Sequence, residues 1–340
     1  MKTRRLLIVT GLLLAAPAFA DLTDLVAEEV LKQIAEETSG EAAKRNLDTI
    51  TLQHRMRAST QFDNATAHVL AMLARYGLDE VGTLEYPADG ETMFGTQKSR
   101  RVWDVRSAEL WELDEVDGEA VRLRRLADWS SVPLSLAQDS LSGDVTTTVV
   151  DIGTGQSDAD YAGKDVRGKL VLTSSQPGAV ANAAVRERGA AGIISYAPNQ
   201  RSAWWLEDDR LVRWGHLDSF PEFETFGFMI SLGEARKLQQ RLAAGEEIVL
   251  HAKVDASHRD GQYRFATAAI RGTDKADEDI HFTCHLDHPR PGANDNASGC
   301  VSILEVARTL NALVTAAILP RPTRTIRFLW PAEIEGSIMY

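Results

Sequence analysis

Residues 279–299, DIHFTCHLDHPRPGANDNASG, carry most of the information about the architecture of this chain. The first six have the pattern of a buried strand, and a period of two then places His285 and Asp287 on one side at its carboxyl end. Ligands gather at that end of the strands in open α/β sheets. Asp295 follows in a turn rich in glycine and asparagine, and a helix resumes after it. Imidazole and carboxylate groups bind zinc in proteins, so this stretch predicts half of a two-metal hydrolase site.

A second stretch, residues 324–333 with the sequence RTIRFLWPAE, predicts another strand, which is followed by a glutamate. Together the two stretches resemble the co-catalytic dizinc aminopeptidase family of clan MH, which includes glutamate carboxypeptidase-like and transferrin-receptor-like proteins. The resemblance implies that His285 binds one zinc ion and that Asp295 bridges two. It also implies that Glu333 is the general base and that Asp287 orients the imidazole through its other ring nitrogen.

The resemblance implies an α/β fold with a mixed-sheet zinc-exopeptidase domain, and a cis peptide bond before Asn296. Two metals about 3.5 to 4 Å apart lower the pKa of an attacking water and polarise the substrate carbonyl. The carboxylate of Asp295 would fix that spacing. Glu333 would take the proton from the water and pass it to the leaving amine. The alternative for Glu333 is an ordinary surface carboxylate after a strand, and its position after FLWP favours catalysis.

The chain departs from the family pattern at two points. Family members carry two adjacent glutamates, but here Ile334 separates Glu333 from Glu335, and an aliphatic side chain cannot bind zinc. Either Glu335 reaches in from a shifted turn, the second ion is weak or lost, or another ligand serves. The family also supplies a further aspartate and histidine beyond the position of Tyr340. We therefore expect this chain to be the amino-terminal portion of a longer enzyme, with an incomplete peptidase domain.

The spacing of apolar, glycine and charged residues divides the chain into four predicted segments. Residues 1–20 are a signal peptide, residues 21–132 and 255–340 form the peptidase domain, and residues 133–254 form an inserted β-rich domain. Within the last of these, residues 181–196, ANAAVRERGAAGIISY, resemble the protease-associated domain often inserted in this family. The insertion either shapes substrate access or is a spacer. Trp204 and Trp205 form either a peptide-contacting lip or a local hydrophobic cluster.

The amino terminus predicts export. Three basic residues precede an apolar core at 6–16 and the cleavage pattern AFA at 18–20, so we expect a periplasmic or extracellular protein. The apolar core is too short for a spanning helix, which needs about 20 residues. Cleavage moves the net charge from -12 to -15, since three positive charges are removed, and this disfavours contact with nucleic acid or an anionic bilayer.

Two cysteines and two further histidines lie near the predicted site. Cys284 and Cys300 could pair in an exported protein, but we favour two buried free thiols, with Cys284 pointing away from His285. His281 lies a full strand repeat inward, and His288 stands where the family usually has a small residue. We interpret both histidines as structural.

The leading interpretation is a secreted zinc aminopeptidase that acts on peptides with two ions, and a carboxypeptidase-like or other amidohydrolase activity remains open. The alternative is a non-catalytic binding protein on the same fold that has lost its metals. Ile334 favours the alternative, whereas the joint presence of His285, Asp287, Asp295 and Glu333 favours the enzyme.

Overall fold

The computed structural model describes residues 26–116, 119–198 and 208–340. The helices are α1 (Glu28–Glu37), α2 (Gly40–Ile50), α3 (Thr60–Arg75), α4 (Asp158–Tyr161), α5 (Pro177–Ala181), α6 (Leu232–Ala243), α7 (Ser298–Thr315) and α8 (Glu335–Met339). The strands are β1 (Asp79–Ala88), β2 (Met93–Phe94), β3 (Gln97–Lys98), β4 (Val102–Val116), β5 (Glu119–Asp128), β6 (Gly143–Asp151), β7 (Leu170–Thr173), β8 (Gly192–Ser195), β9 (Gly227–Met229), β10 (Val249–Arg259), β11 (Gly261–Ile270), β12 (Lys275–Thr283) and β13 (Arg324–Trp330). The predicted signal peptide, Trp204 and Trp205 lie outside the described residues.

The first sheet carries the predicted site residues. Its four strands have the order β1-β11-β13-β12, with β12 parallel to β13 and the other pairs antiparallel. Thr283 pairs with Leu329, so the carboxyl ends of β12 and β13 lie side by side. His285 follows one of these ends and Glu333 follows the other. The mixed sheet confirms the predicted α/β class, while the incomplete state of the domain stays a prediction.

Helices α3 and α7 pack against this sheet. The apolar spacing around Val69 and Leu73 predicted α3, which ends at Arg75 ahead of Gly77, whose φ is +73°. Leu304, on α7, is fully buried in the same core cluster as Val69. Burying a side chain of this size contributes about 1.5 to 3 kcal/mol, so the core holds the sheet and its terminal loops together.

The helix α7 is also long and apolar enough to qualify by composition as a membrane span. Within Ala293–Thr315, which includes the turn before the helix, an 18-residue window has a mean hydropathy of 1.2, and half of that window is buried inside the protein. Its packing against the sheet explains the apolar sequence, because a core helix passes the same test.

The second sheet has seven strands in the order β5-β4-β10-β6-β7-β8-β9. From β6 to β9 the neighbouring strands are parallel, with α5 before β8 and α6 after β9 in the chain. β4 and β5 belong to this sheet although they precede residue 133, and β10 crosses residue 254. The predicted domain limits and the protease-associated insertion remain predictions.

One expectation about β12 is wrong. The alternation at residues 279–284 suggested a buried strand, but β12 lies at the edge of its sheet and most of its residues are exposed. Ile280 is 48% exposed, because β13 is the only strand that pairs with β12 in the described part of the chain. Phe282 is better covered, since its ring stacks on Phe328 at 5.5 Å between centroids.

Candidate metal centre

His285 and Asp295 come together just beyond the end of β12. The Nε2 atom of His285 lies 3.0 Å from Oδ1 of Asp295, although ten residues separate them in sequence. The side chain of His285 is 20% exposed and that of Asp295 is 63% exposed, so the pair faces solvent from the edge of the core. The structure therefore brings the two predicted metal ligands within reach of one cation.

Asp287 is buried beneath His285 and contacts both His285 and Glu333. It is 5% exposed, and its Oδ1 accepts a hydrogen bond of 2.6 Å from the backbone N–H of Glu333. The same oxygen lies 3.6 Å from Nδ1 of His285, and that ring nitrogen donates to the carbonyl oxygen of Asp287 at 3.1 Å. These contacts tie the loop after β12 to the loop after β13.

The pKa of His285 is raised to about 9, chiefly by interaction of its ring with the Asp287 carboxylate, which outweighs the opposing effect of burial. The negative charge of Glu333 also raises it. The side chain of Glu333 is exposed, and its charge acts on the ring of His285, the predicted metal ligand. The carboxylates of Asp287, Asp295 and Glu333 therefore all lie near this imidazole.

The turn that carries Asp295 has an unusual backbone. Gly292 opens it with φ at +48°, and the peptide bond between Asp295 and Asn296 is cis, as expected from the resemblance. A Cβ on Gly292 would lie 2.6 Å from Nδ1 of His288 and 2.8 Å from Nη2 of Arg55. Glycine at this position therefore allows the turn to pack against both side chains.

Arg55 supports the loop of residues 284–300, called the metal loop below, from inside the protein, and no sequence pattern predicted this role. Its side chain is fully buried and donates to the carbonyl oxygens of Leu286, Pro291 and Gly292. Two more bonds reach the carbonyl oxygens of Ile50 and Gln53. The partners in the loop lie more than 230 positions away, so no local pattern marks Arg55.

Glu335 does not face His285 or Asp295 in any contact of the described residues. Its Oε1 lies 2.7 Å from Nε of Arg100, and its Oε2 accepts from the hydroxyl of Tyr263 at 3.0 Å and lies 3.6 Å from Nε of Arg57. Burial raises the pKa of Tyr263, so this hydroxyl stays a proton donor. Of the three alternatives for the second ion, coordination by Glu335 therefore has the least support.

Ile334 occupies the position after Glu333 with φ at +58° and a side chain that is 66% exposed. A β-branched residue seldom adopts a positive φ. The side chain points to solvent and cannot bind a metal.

The expectation of two free thiols is wrong. Cys284 and Cys300 form a disulfide, with their Cα atoms 5.2 Å apart. The bond is made because the end of β12 and the start of α7 meet across the metal loop, a tertiary proximity that the strand pattern alone did not reveal. The covalent ring encloses His285, Asp287 and Asp295.

His288 and His281 have different surroundings. His288 Nε2 lies 3.5 Å from Oδ2 of Asp295, on the opposite carboxylate oxygen from His285. His281 faces Asp279 of its own strand at 3.5 Å and packs edge to face on Tyr340. The structural interpretation therefore fits His281, whereas His288 lies at the predicted site.

The donor set fits zinc chemistry. In the described part of the chain, no group of three or more histidine, cysteine, aspartate or glutamate side chains converges on one point. Instead, the two oxygens of Asp295 each face an imidazole nitrogen, and nitrogen with carboxylate oxygen is a usual zinc donor pair.

Comparison with known proteins agrees with this geometry. Residues 266–336 match the model of peptidase family M28, which covers β13 and every predicted site residue. The fold is similar to that of a peptidase M28 precursor from Shewanella amazonensis SB2B, with 19% identity, a TM-score of 0.61, and coverage of 93% of this chain and 70% of that one. BSAP, a zinc aminopeptidase from Bacillus subtilis, is similar at 18% identity and a TM-score of 0.54, over 87% of this chain and 63% of that one. No curated protein matches the chain.

Proposed function

We propose that the protein is a metal-dependent aminopeptidase, or the amino-terminal portion of one, because residues 266–336 match the model of peptidase family M28. Its substrates are peptides, cleaved at the amino-terminal bond. The observation that carries the proposal is the 3.0 Å approach of His285 Nε2 to Asp295 Oδ1 at the carboxyl end of β12. Had the two side chains faced different regions, a shared cation would have been excluded.

His285 and Asp295 are the residues that would hold zinc. The zinc aminopeptidase from Bacillus subtilis has the same fold, which supports this choice of metal and of reaction. When bound, two ions would supply an acidified water and a polarised carbonyl. Asp295, with one oxygen toward His285 and the other toward solvent and His288, is suited to lie between them.

Asp287 and Glu333 supply the proton chemistry around the metals. The carbonyl oxygen of Asp287 accepts a hydrogen bond from Nδ1 of His285, and the Asp287 carboxylate lies close to the same nitrogen. These two contacts orient the ring so that Nε2 is directed at Asp295. Glu333 is exposed to an incoming substrate while its backbone N–H is fixed by Asp287. It would take a proton from the attacking water and deliver it to the departing amino group.

Substrates would approach through a cavity of about 450 Å³. It is lined by Arg57 and Arg100, and by Asp139, Trp214 and His216 of the predicted insertion. Arg57 also contacts the carboxylate of Asp287, at 3.3 Å, so the cavity adjoins the site. This supports the interpretation of residues 133–254 as a protease-associated domain that shapes access.

We place the protein in the periplasm or outside the cell. The basic and apolar leader supports export, and the Cys284–Cys300 disulfide is of the kind that persists in oxidising compartments. Reading the gene downstream of Tyr340 for an aspartate and a histidine in frame tests the prediction that the enzyme is longer. A stop codon at position 341 would contradict it.

The activity is tested on the full chain, exported and cleaved in a bacterial host. Metal-stripped protein is assayed on aminoacyl-p-nitroanilides before and after addition of zinc. We expect activity only with zinc, and a loss of about 10²- to 10⁴-fold in Glu333→Gln with metal content unchanged. Glu36→Gln, an exposed glutamate on α1, is the matched control and should behave as the wild type. Hydrolysis that survives both chelation and Glu333→Gln would exclude the proposal.

One observation favours the second candidate, a non-catalytic binding protein. Ile334 is exposed where the family has a metal ligand, and Glu335 is engaged by two arginines instead. A protein of this kind would bind peptides without cleaving them and would hold no zinc after dialysis. Metal analysis of the purified full chain separates the two candidates.

A further inference from the structure

We propose that His288 is a metal ligand, and that it serves the ion on the Oδ2 side of Asp295. The inference rests on the metal site of the proposed function and assigns a residue that the family pattern does not require. Asp295 would then bridge two half-sites of this chain, one with His285 on Oδ1 and one with His288 on Oδ2. His288 would replace, from a local loop, one ligand of the second ion.

The hydrogen bonds of the two imidazoles carry the argument. Nδ1 of His285 bonds to the carbonyl oxygen of Asp287, and Nδ1 of His288 bonds to that of Pro289 at 2.9 Å. A carbonyl oxygen only accepts, so each Nδ1 carries the proton. Nε2 is therefore the ring atom directed at Asp295, at 3.0 Å from Oδ1 for His285 and at 3.5 Å from Oδ2 for His288. The two rings present one nitrogen each to opposite oxygens of a single carboxylate, which is the arrangement that two zinc ions bridged by that carboxylate would need.

The distances agree with a metal in that role. Two donor atoms, each about 2.1 Å from a zinc ion, lie about 3.4 Å apart at the tetrahedral angle and about 3.0 Å apart at a right angle. The observed separations from the oxygens of Asp295 are 3.0 Å for His285 Nε2 and 3.5 Å for His288 Nε2. The first separation equals the right-angle value, and the second is about 0.1 Å longer than the tetrahedral value.

The position of His288 is fixed by the fold. Its backbone forms a two-way bridge with Arg55, in which the N–H of each residue donates to the carbonyl of the other, at 2.9 and 3.1 Å. The absent side chain of Gly292 leaves room for the ring of His288. The side chain is 32% exposed, so Nε2 can be reached by an ion from solvent.

The experiment measures zinc stoichiometry on the exported full chain, by equilibrium dialysis with elemental analysis and by calorimetry. We expect two ions in the wild type. In His288→Gln we expect the dissociation constant of one ion to rise at least about ten-fold while the other ion is retained, since even supporting partners of metal ligands change affinity by 10- to 100-fold. His281→Gln, a histidine on the exposed edge strand, is the matched control and should keep both ions unchanged.

A second measurement needs no substitution at the site. In wild-type protein with labelled histidines, titration with zinc should shift the ring nitrogen signals of His285 and His288 and leave those of His281 in place. Two ions retained with unchanged affinity in His288→Gln, or a His288 ring that does not respond to zinc, would overturn the inference.

The outcomes also separate this inference from the proposed function. If the wild type shows zinc-dependent hydrolysis but His288→Gln binds zinc unchanged, the proposed enzyme activity stands and His288 is not a ligand. If His288→Gln loses an ion but the wild type hydrolyses no substrate, His288 is a ligand and the proposed activity is wrong.

Discussion

Arg55 shows how one buried side chain can hold a functional loop. Burial lowers its pKa to about 10, yet the guanidinium stays charged at neutral pH and satisfies five carbonyl oxygens. Replacing it with Met removes all five bonds. The carbonyl oxygens of Ile50 and Gly292 keep a backbone donor, but those of Gln53, Leu286 and Pro291 lose the donor described for them, at a cost of about 1 to 3 kcal/mol for a buried group. We expect Arg55→Met to lower the free energy of unfolding by roughly 2 to 5 kcal/mol, measured by urea denaturation of the metal-free protein.

The control for this prediction is Arg106→Met. Arg106 is 85% exposed and lies 3.8 Å from Asp255, an ion pair of the kind that contributes little. It should change stability by less than about 0.5 kcal/mol. Equal effects of the two substitutions would show that the carbonyl bonds of Arg55 are not the source of its stabilisation.

Asp287 is the residue that sets the protonation of His285. Replacing it with Asn removes the charge that raises the pKa of His285 to about 9, so this pKa should fall toward its ordinary value of 6.5. The measurement is the pH titration of the ring signal of His285 in metal-free protein. Asp48→Asn, an exposed aspartate on α2, is the control and should leave the titration unchanged.

The sign of the associated stability change follows from linkage. A histidine whose pKa is higher in the folded state contributes stability that is fully present below pH 6.5 and is lost as the pH rises to about 9. Metal-free wild type should therefore lose stability across that window, and Asp287→Asn should lose less. A steeper loss in Asp287→Asn would contradict the assignment of the raised pKa to Asp287.

The residues that the sequence could predict are those with a local pattern. His285, Asp287 and Asp295 lie within eleven positions of one another. Strand alternation predicted a common side for His285 and Asp287, and the glycine-rich turn predicted the return of Asp295. Arg55 could not be predicted, because its partners are backbone carbonyls distant in sequence. His288 was interpreted as structural because the family usually has a small residue at its position. Its distance to Asp295 depends on the fold of the loop between them, which the strand pattern does not give.

At the scale of elements, the disulfide joins the end of β12 to the first turn of α7. It closes a loop with a sequence separation of 16, which contains the predicted H-x-D motif and the Asp295 turn. Closing a loop of this length lowers the conformational entropy of the unfolded chain, which raises the free energy of the unfolded state by about 3 kcal/mol. We expect Cys284→Ala with Cys300→Ala to lower the free energy of unfolding by about that amount, measured by urea denaturation.

The same double variant should weaken zinc binding, because His285 is adjacent to one cysteine and the ligand loop becomes freer to move. The control is the wild type treated with a reductant under native conditions. The bond is buried, Cys300 fully so, and we expect slow reduction and little change. A double variant as stable as the wild type would show that the core alone fixes this loop.

The helices and strands around the site were predictable because their apolar periods are strong. α3, α7 and β13 lie where the spacing placed them. The neighbours of each strand were not predictable from the same patterns. Period-two alternation is similar in an edge strand and in one covered on one face, so the exposure of β12 appeared only with the sheet order.

At the scale of the whole molecule, the second sheet takes strands from both sides of the predicted insertion. β4 and β10 pair along most of their length, so residues near 102 and 259 are brought together where the chain passes between the two sheets. A local sequence pattern does not encode this pairing, because the two strands are more than 130 residues apart. Arg100, which precedes β4, lines the cavity beside Arg57.

The edge of the first sheet governs how the described molecule should behave in solution. β12 begins with charged residues, but Ile280 presents an exposed apolar side chain on this edge strand, which pairs on one side only in the described part of the chain. Unpaired edges of this kind are templates for pairing between molecules, and a charge on the edge opposes it. We expect Ile280→Lys to reduce concentration-dependent association, measured by sedimentation velocity at several concentrations.

A matched control separates the effect of the edge from that of charge alone. Ile318 is 51% exposed, close to the 48% of Ile280, but lies in the turn after α7 and not on a strand. Ile318→Lys adds the same charge to the acidic molecule and removes a similar apolar surface. Because it leaves the edge of β12 unchanged, association should continue in this variant. If both substitutions suppress association equally, net charge and not strand pairing controls it.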